Sequence, residues 1–382
     1  MHKIMSIKIS GVRRLQEVAV EMRPLTVMIG ANGVGKTSML DALSLLAASA
    51  SGTLNKTLND LGGVTNLCTH GWMGGMTFEA KMNDPGASPL EYELHLSTQG
   101  QTYQIDRERL TQRLAGHGQP FKHLETVNNF VQYYDTGKKA LVRPDWTYDP
   151  KESALAQVPK MFKVAEDFRR VIGSATQYHV LEVGHRSPIR LPQQMRPVTL
   201  PGTNGEDLVS FLYYLRESDR ERYEVIEDSM KAAFPGFETM NFPPVAAGML
   251  SLTWKERPWK NPFHIHQLSE GTLRFLWLVS LLKSPDLSTI TMIDEPEVSL
   301  HPELLNLLAD TMREAARETQ VIVATHSDRL IRFMKPHEVL VLDMDEEGYA
   351  KAIWGDAMDL EGWLEEYSLD EVWRMGRMGG RA

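Results

Sequence analysis

Residues 4–9, IMSIKI, alternate apolar and polar positions with a period of two, which predicts a strand with one buried face. LTVMI at 25–29 is nearly continuous apolar, the pattern of a strand covered on both faces in a parallel sheet. GANGVGKT follows, and then SMLDALSLLAASA, a helix with its apolar residues on one face. Residues 62–75 are glycine-rich and predict a loop, whereas 76–82, 92–98 and 102–106 alternate like a β-meander. From about 107 to 175 the pattern weakens and defines no element. DLVSFLYYL (207–215) and YEVIEDSMKAAF (223–234) predict helices, the second stopped by Pro235-Gly236.

The second half resumes the α/β alternation. Residues 273–284 predict a helix, 289–294 a buried strand, and 302–318 a helix with Pro302 in its first turn. Residues 321–327 predict another buried strand, 339–354 a hairpin and 360–376 a terminal helix. There is no internal repeat, low-complexity tract or long heptad array. Two α/β stretches flanking a meander and a helical insert predict one discontinuous domain.

The chain has 382 residues with 42% apolar, enough for a sizeable core. Its net charge of -9 gives no general coat for nucleic acid or anionic membrane, so any DNA contact needs a local patch or a partner. One cysteine, Cys68, excludes an internal disulfide and a cysteine zinc cluster and suits a reducing cytoplasm. The N-terminus lacks the apolar stretch of a signal peptide, and LRFLWLVSLL is too short to span a bilayer. A soluble, cytoplasmic protein is expected.

Gly30-Ala31-Asn32-Gly33-Val34-Gly35-Lys36-Thr37 fits GxxxxGK[ST] without a gap, between a strand and a helix. Glycines there let backbone N–H groups turn around phosphates, and the following helix aims its positive end at them. Lys36 would reach the β- and γ-phosphates, Thr37 would hold Mg²⁺, and Ser38 completes the nucleotide-contacting run. Asp294-Glu295 ends a buried strand, at the sheet edge where ligands sit; Asp294 would serve the metal and Glu295 would polarise the attacking water. His326 ends the next strand, one crossover helix later, near the γ-phosphate. Ser269, Glu270 and Gly271 in LSEGT stand before an apolar helix, as a local cap or as an anion receptor.

These pieces in this order, GANGVGKT, LSEGT, IDEPEVSLHP and THS, resemble an ABC-type ATPase head. The wording is closest to the RecF/SMC/OLD side, and in particular to the small AAA_21, ABC-like ATPases, whose pattern shows in LSEGTLRFLWL, IDEPEVSLHPELL, VIVATHSDRLI and the ending SLDEVWRMGRMGG. The resemblance implies an α/β fold: a P-loop ABC-type ATPase head with a parallel core sheet, an antiparallel β lobe and a helical insert lobe. It implies one discontinuous domain over 1–382, with 1–110 and 250–382 as nucleotide-binding core and 111–249 as insert. It implies Mg²⁺-dependent ATP hydrolysis with Lys36, Glu295 and His326 as catalytic residues. Ser269 and Gly271 would act in trans on ATP held by a second protomer, giving a head-to-tail homodimer open to higher assembly, with Ser299, Leu300 and His301 crossing the interface. The output would be a conformational switch gating a separate nuclease or effector in prokaryotic defence or genome maintenance. The alternatives are a RecF-like ATPase that binds DNA itself and, against Glu270 in the signature, a transporter subunit.

The remaining features read as structural. Gln177 is a weak Q-loop candidate, and Arg13 and Arg14 read as a solvated pair more readily than as nucleotide contacts. Arg186, Arg190 and Arg196 lie in a proline-rich basic loop, read as irregular packing before contact with DNA phosphates, a partner or ATP. His264 and His266 lack a third ligand nearby, and Asp343 with Asp345 read as a hairpin turn.

Overall fold

The computed structural model describes residues 2–114, 116, 118–128 and 130–379. Gly380, the last residue of the family-like ending, lies outside them. Two sheets organise the chain. The first is antiparallel and eight-stranded, in the order β2 (Leu15–Glu21), β1 (Ile4–Val12), β4 (Met76–Met82), β5 (Leu90–Gln99), β6 (Thr102–Gln112), β7 (Phe121–Val127), β8 (Phe130–Asp135) and β9 (Ala140–Val142). The meander therefore continues well past residue 106, where the apolar pattern had weakened. The second sheet is six-stranded, in the order β10 (Thr176–Tyr178), β16 (Ile290–Asp294), β17 (Gln320–Ala324), β3 (Leu25–Ile29), β18 (Val339–Met344) and β19 (Ala350–Trp354). Its first five strands run parallel, and β19 returns antiparallel as the hairpin expected at 339–354.

Small sheets finish the strand inventory: β11 (Gln193–Gln194) pairs with β13 (Met249–Leu250), and β12 (Phe237–Asn241), β14 (Thr253–Glu256) and β15 (Phe263–His264) form a three-stranded ribbon. The helices are α1 (Lys36–Ser51), α2 (Leu54–Asp60), α3 (Val64–Leu67), α4 (Ala154–Gln157), α5 (Lys163–Gly173), α6 (Leu208–Ser218), α7 (Arg220–Ala233), α8 (Glu270–Leu282), α9 (Pro302–Ala315), α10 (Asp328–Ile331), α11 (Glu361–Leu364) and α12 (Leu369–Arg374). The terminal segment is thus two short helices, because Ser368 and Glu371 form a capping box that restarts the chain at Leu369.

The alternation of side chains along the parallel strands splits the interior in two. Val321 and Val323 of β17 face one core with α6 to α9, while Ile322 and Ala324 face the other with α1, α5 and the antiparallel sheet. Helix α1 lies between the sheets, which is why its residues are buried nearly all round rather than on one stripe. Thr291, the polar break in β16, is fully buried with its hydroxyl sharing a hydrogen bond with Ser288 Oγ at 3.0 Å. Trp373 and Val372 are buried, so the terminal segment packs into the core.

Candidate nucleotide site

The parallel strands deliver the motif residues to one edge. β3 ends at Ile29, and the chain turns through Gly30 to Gly35 into the N-terminus of α1. Gly30 adopts φ 145°, and a Cβ there would stand 2.1 Å from Leu342 O of β18, so only glycine lets the loop bend this tightly. Gly33 has φ 79° and nothing within 4 Å of a built Cβ, which leaves its backbone open to a ligand. Lys36 is 5% exposed and its Nζ donates to Gly30 O at 2.5 Å and Ala31 O at 3.0 Å. Burial lowers its ammonium to about 8, against the opposing charges of Glu295, Asp294 and Glu297. Asn32 and Thr37 are exposed at the mouth, Ala31 is half-buried, and Val34 and Ser38 turn inward.

β17 lies between β3 and β16, so the lysine loop and the acidic strand end flank it. Asp294 aligns with Ala324 across the β16–β17 ladder, and Glu295 N donates to Ala324 O at 2.8 Å. Burial, and then the neighbouring charge of Glu295, raise the Asp294 carboxyl above its ordinary range. Glu295 sits in the left-handed region at φ 46°, an unusual conformation for a side chain of this size. His326 Nε2 stands 3.5 Å from Glu295 Oε1. Burial and then the charge of Lys36 lower the His326 imidazolium, so the ring is neutral near pH 7. Lys36, Asp294, Glu295 and His326, distant in sequence, therefore meet at one sheet edge.

Several partners in this cluster were not apparent from sequence. Glu297 is a buried carboxyl whose Oε1 accepts from Thr325 Oγ1 and whose acidity is suppressed chiefly by burial. Ser327 N donates to Thr325 Oγ1 at 2.9 Å, so Glu297 and Thr325 brace the backbone on either side of His326. Asp41, one turn beyond Thr37 on α1, is 4% exposed and paired with Arg13, which is therefore a partly buried ion-pair member rather than a solvated cation. The one-turn spacing from Thr37 was the available signal. Gln177 on β10 accepts from Ser44 Oγ at 2.7 Å and faces α1. Two residues on, His179 is exposed and faces Asp294 and Asp41, partly opposing the burial that raises both carboxyls.

The LSEGT segment forms the N-terminus of α8. Ser269 is the N-cap, its Oγ accepting from Thr272 N at 3.1 Å. The local cap is thus present, while Ser269 and Glu270 remain exposed. A Cβ on Gly271 would stand 2.7 Å from Ser299 O, and Arg274 Nη1 reaches Val298 O at 3.5 Å. The signature turn therefore packs on the turn that follows Glu295, in which Ser299 also takes positive φ, at 62°. His301 caps α9, with Pro302 in its first turn.

Hydroxyl and carboxylate oxygens at Thr37 and Asp294 suit a hard divalent cation such as Mg²⁺. Lys36, held by two carbonyls of its own loop, and the open face of Gly33 suit phosphate oxygens. The other candidates resolve structurally. Arg196 pairs with Asp207, Arg190 is buried, and Asp345 Oδ1 accepts from Glu347 N and Tyr349 N in the hairpin turn. His264 and His266 stack at 5.6 Å, and among the described residues no group of three His, Cys, Asp or Glu side chains is arranged for a metal ion. No described helix is long and apolar enough to cross a membrane.

Comparison with known proteins gives three findings. Residues 188–332 match the family described as "AAA domain, putative AbiEii toxin, Type IV TA system", and residues 2–83 match the family described as "AAA ATPase domain". Across 93 residues the chain is 25% identical to the Septu protein PtuA of Bacillus thuringiensis, a match spanning 24% of this chain and 24% of that protein. The fold is that of SMC heads. It superposes on an SMC head solved with the C-terminal winged-helix domain of ScpA, at TM-score 0.56 and 13% identity over 97% of this chain and 99% of that one. It also superposes on an SMC head with an extended coiled coil, bound to the C-terminal domain of ScpA and derived from Pyrococcus furiosus, at TM-score 0.54 and 12% identity over 96% and 98%.

Proposed function

We propose that the chain is an ABC-type ATPase of the SMC, RecF and OLD kind, a reading supported by its two ATPase-domain matches and its SMC-head fold. Two such protomers bind head to tail, with ATP between the P-loop of one and the signature turn of the other, and hydrolysis releases them. The observation that carries this reading is the meeting of Lys36, Asp294, Glu295 and His326 at one sheet edge, with an exposed α8 N-terminus in the same chain.

Each residue has a chemical task in this reading. Lys36 leaves its two loop carbonyls for the β- and γ-phosphates. Thr37 and Asp294 would hold Mg²⁺, which when bound would neutralise phosphate charge. Glu295 accepts hydrogen bonds from the attacking water, and neutral His326 donates to the γ-phosphate while held beside Glu295. Glycines 30, 33 and 35, with Ala31, Asn32, Val34 and Ser38, shape the loop around the phosphates. Ser269 and Gly271 contact the γ-phosphate bound by the second protomer.

The biological output follows as a switch controlling a separate nuclease or effector in prokaryotic defence or genome maintenance. The short likeness to the Septu protein PtuA is the comparison that bears on that role. Direct DNA binding is the poorer reading, because Arg190 and Arg196 of the basic loop are committed within the chain.

The test is the solution mass of the Glu295→Gln protein with and without ATP and Mg²⁺. Mass doubles with ATP, and Ser269→Arg abolishes the doubling while ATP still binds. A mass that ignores bound ATP sinks the sandwich reading.

A further inference from the structure

Arg190 is a buried cation held by backbone carbonyls. It is 8% exposed, and among the described residues no carboxylate lies within ion-pair reach of it. Its guanidinium instead meets backbone carbonyls: Nε donates to Val183 O at 2.6 Å, and Nη1 to His266 O at 3.0 Å, to Leu268 O at 2.9 Å and weakly to Ile265 O at 3.5 Å. Three of these four acceptors lie in the short turn that leads directly into Ser269. A buried charge is expensive to keep, and an apolar side chain in its place would leave these carbonyls without their donor. Packing alone therefore does not account for an arginine here.

The peptide geometry supplies a role. In a trans peptide the C=O and the following N–H point in opposite directions. With Leu268 C=O turned inward to Arg190, the N–H of Ser269 is turned outward, toward the exposed mouth of α8. The charge acts in the same sense, since a buried cation beneath a helix N-terminus adds to its positive potential and is little screened by salt. It also offsets Glu270, an exposed acid at a turn that must receive an anion.

We propose that Arg190 is the positioning residue of the signature turn: it orients the Leu268–Ser269 peptide and supplies the buried charge that makes α8 a receptor for the phosphate of the second protomer's ATP. The assignment rests on the sandwich reading above. Arg190 serves the partner's nucleotide and not its own, so its loss leaves the P-loop of the same chain intact.

That asymmetry makes it testable by mixing. Lys36→Ala has a sound signature turn and a broken P-loop. Arg190→Met has the reverse. Each alone releases phosphate from ATP at less than a tenth of the wild-type rate, and each mixture of the two recovers activity, because one of its two sites joins a sound P-loop to a sound signature. ATP binding by Arg190→Met stays within about twofold of wild type by equilibrium dialysis, in keeping with the independence of separated sites. Arg190→Lys, which keeps the charge but not the fork, falls between Arg190→Met and wild type; if Arg190→Met does not fold, the lysine variant carries the same mixing test. Ser269→Arg mixed with Lys36→Ala is the reference. If the reference recovers and Arg190→Met does not, or if Arg190→Met alone is fully active, the Arg190 assignment is overturned and the sandwich stands. If the reference itself fails to recover, the sandwich reading falls and the assignment falls with it.

Discussion

Gly30 shows how much of the site a single atom controls. A Cβ there would collide with Leu342 O, so Gly30→Ala must push the phosphate loop away from β18. We expect a loss of about 1–3 kcal/mol in urea unfolding, the range for forced backbone strain, and ATP binding weakened at least tenfold. Wild-type ATP affinity in this variant would show that the loop does not depend on its present shape. The phosphate loop was legible in the sequence because its meaning is carried by consecutive residues between a strand and a helix. Glu297 and Arg190 were not legible, because their meaning lies in what they touch. Glu297 gains its place through Thr325, from another strand end, and Arg190 through carbonyls that no sequence pattern advertises. Read along the chain, Arg190 is one more basic residue in a proline-rich loop.

Among elements, β6 explains why the apolar pattern fades after residue 106. Its inward position carries Glu108, a fully buried acid that accepts from Ser153 Oγ at 2.6 Å, Ala154 N at 2.7 Å, Leu155 N at 2.9 Å and Tyr92 OH at 2.9 Å. The alternation slips at an irregularity between Ile105 and Arg107 and then resumes with a carboxyl where a hydrophobe was expected. Its outward positions carry Arg107 and Arg109, paired with Glu93 and Glu125, so the segment reads as polar throughout. The next strand, β7, offers a pH test far from the nucleotide. Burial lowers His123 to about 4, with the charge of Asp84 opposing. The unfolded chain, with an ordinary imidazole near about 6.5, then binds the proton more readily than the folded one. This stability contribution is present above the ordinary histidine value and is lost as pH falls toward about 4. Urea midpoints should therefore fall between pH 7 and pH 4.5, and less steeply in His123→Gln. Equal slopes for the two proteins would remove His123 as the cause.

For the whole molecule, two cores share one parallel sheet, and the nucleotide edge belongs to both. Ligand binding at that edge should therefore stabilise the chain as a unit. ATP with Mg²⁺ at about 100 times its Kd adds about 2.7 kcal/mol by mass action, and Lys36→Ala abolishes the gain. In the Glu295→Gln protein the thermal midpoint with ATP should also rise with protein concentration, as it does when the folded species is a dimer. A midpoint independent of concentration points to a monomer. The layered α/β architecture was readable from alternating elements, whereas the order of strands in the sheet was not, because pairing across long insertions leaves no local trace.

That strand order has a mechanical consequence. Adjacent strands stand about 4.8 Å apart, so the interposed β17 holds the phosphate loop and the acidic pair about two such spacings apart. The width of the proposed nucleotide cleft is thus gauged by backbone hydrogen bonds between β3, β17 and β16, and by no side chain within it. Substitution at Lys36, Asp294 or Glu295 can empty the cleft or recharge it but cannot widen it. A change in the five buried residues of β17 would move both walls at once.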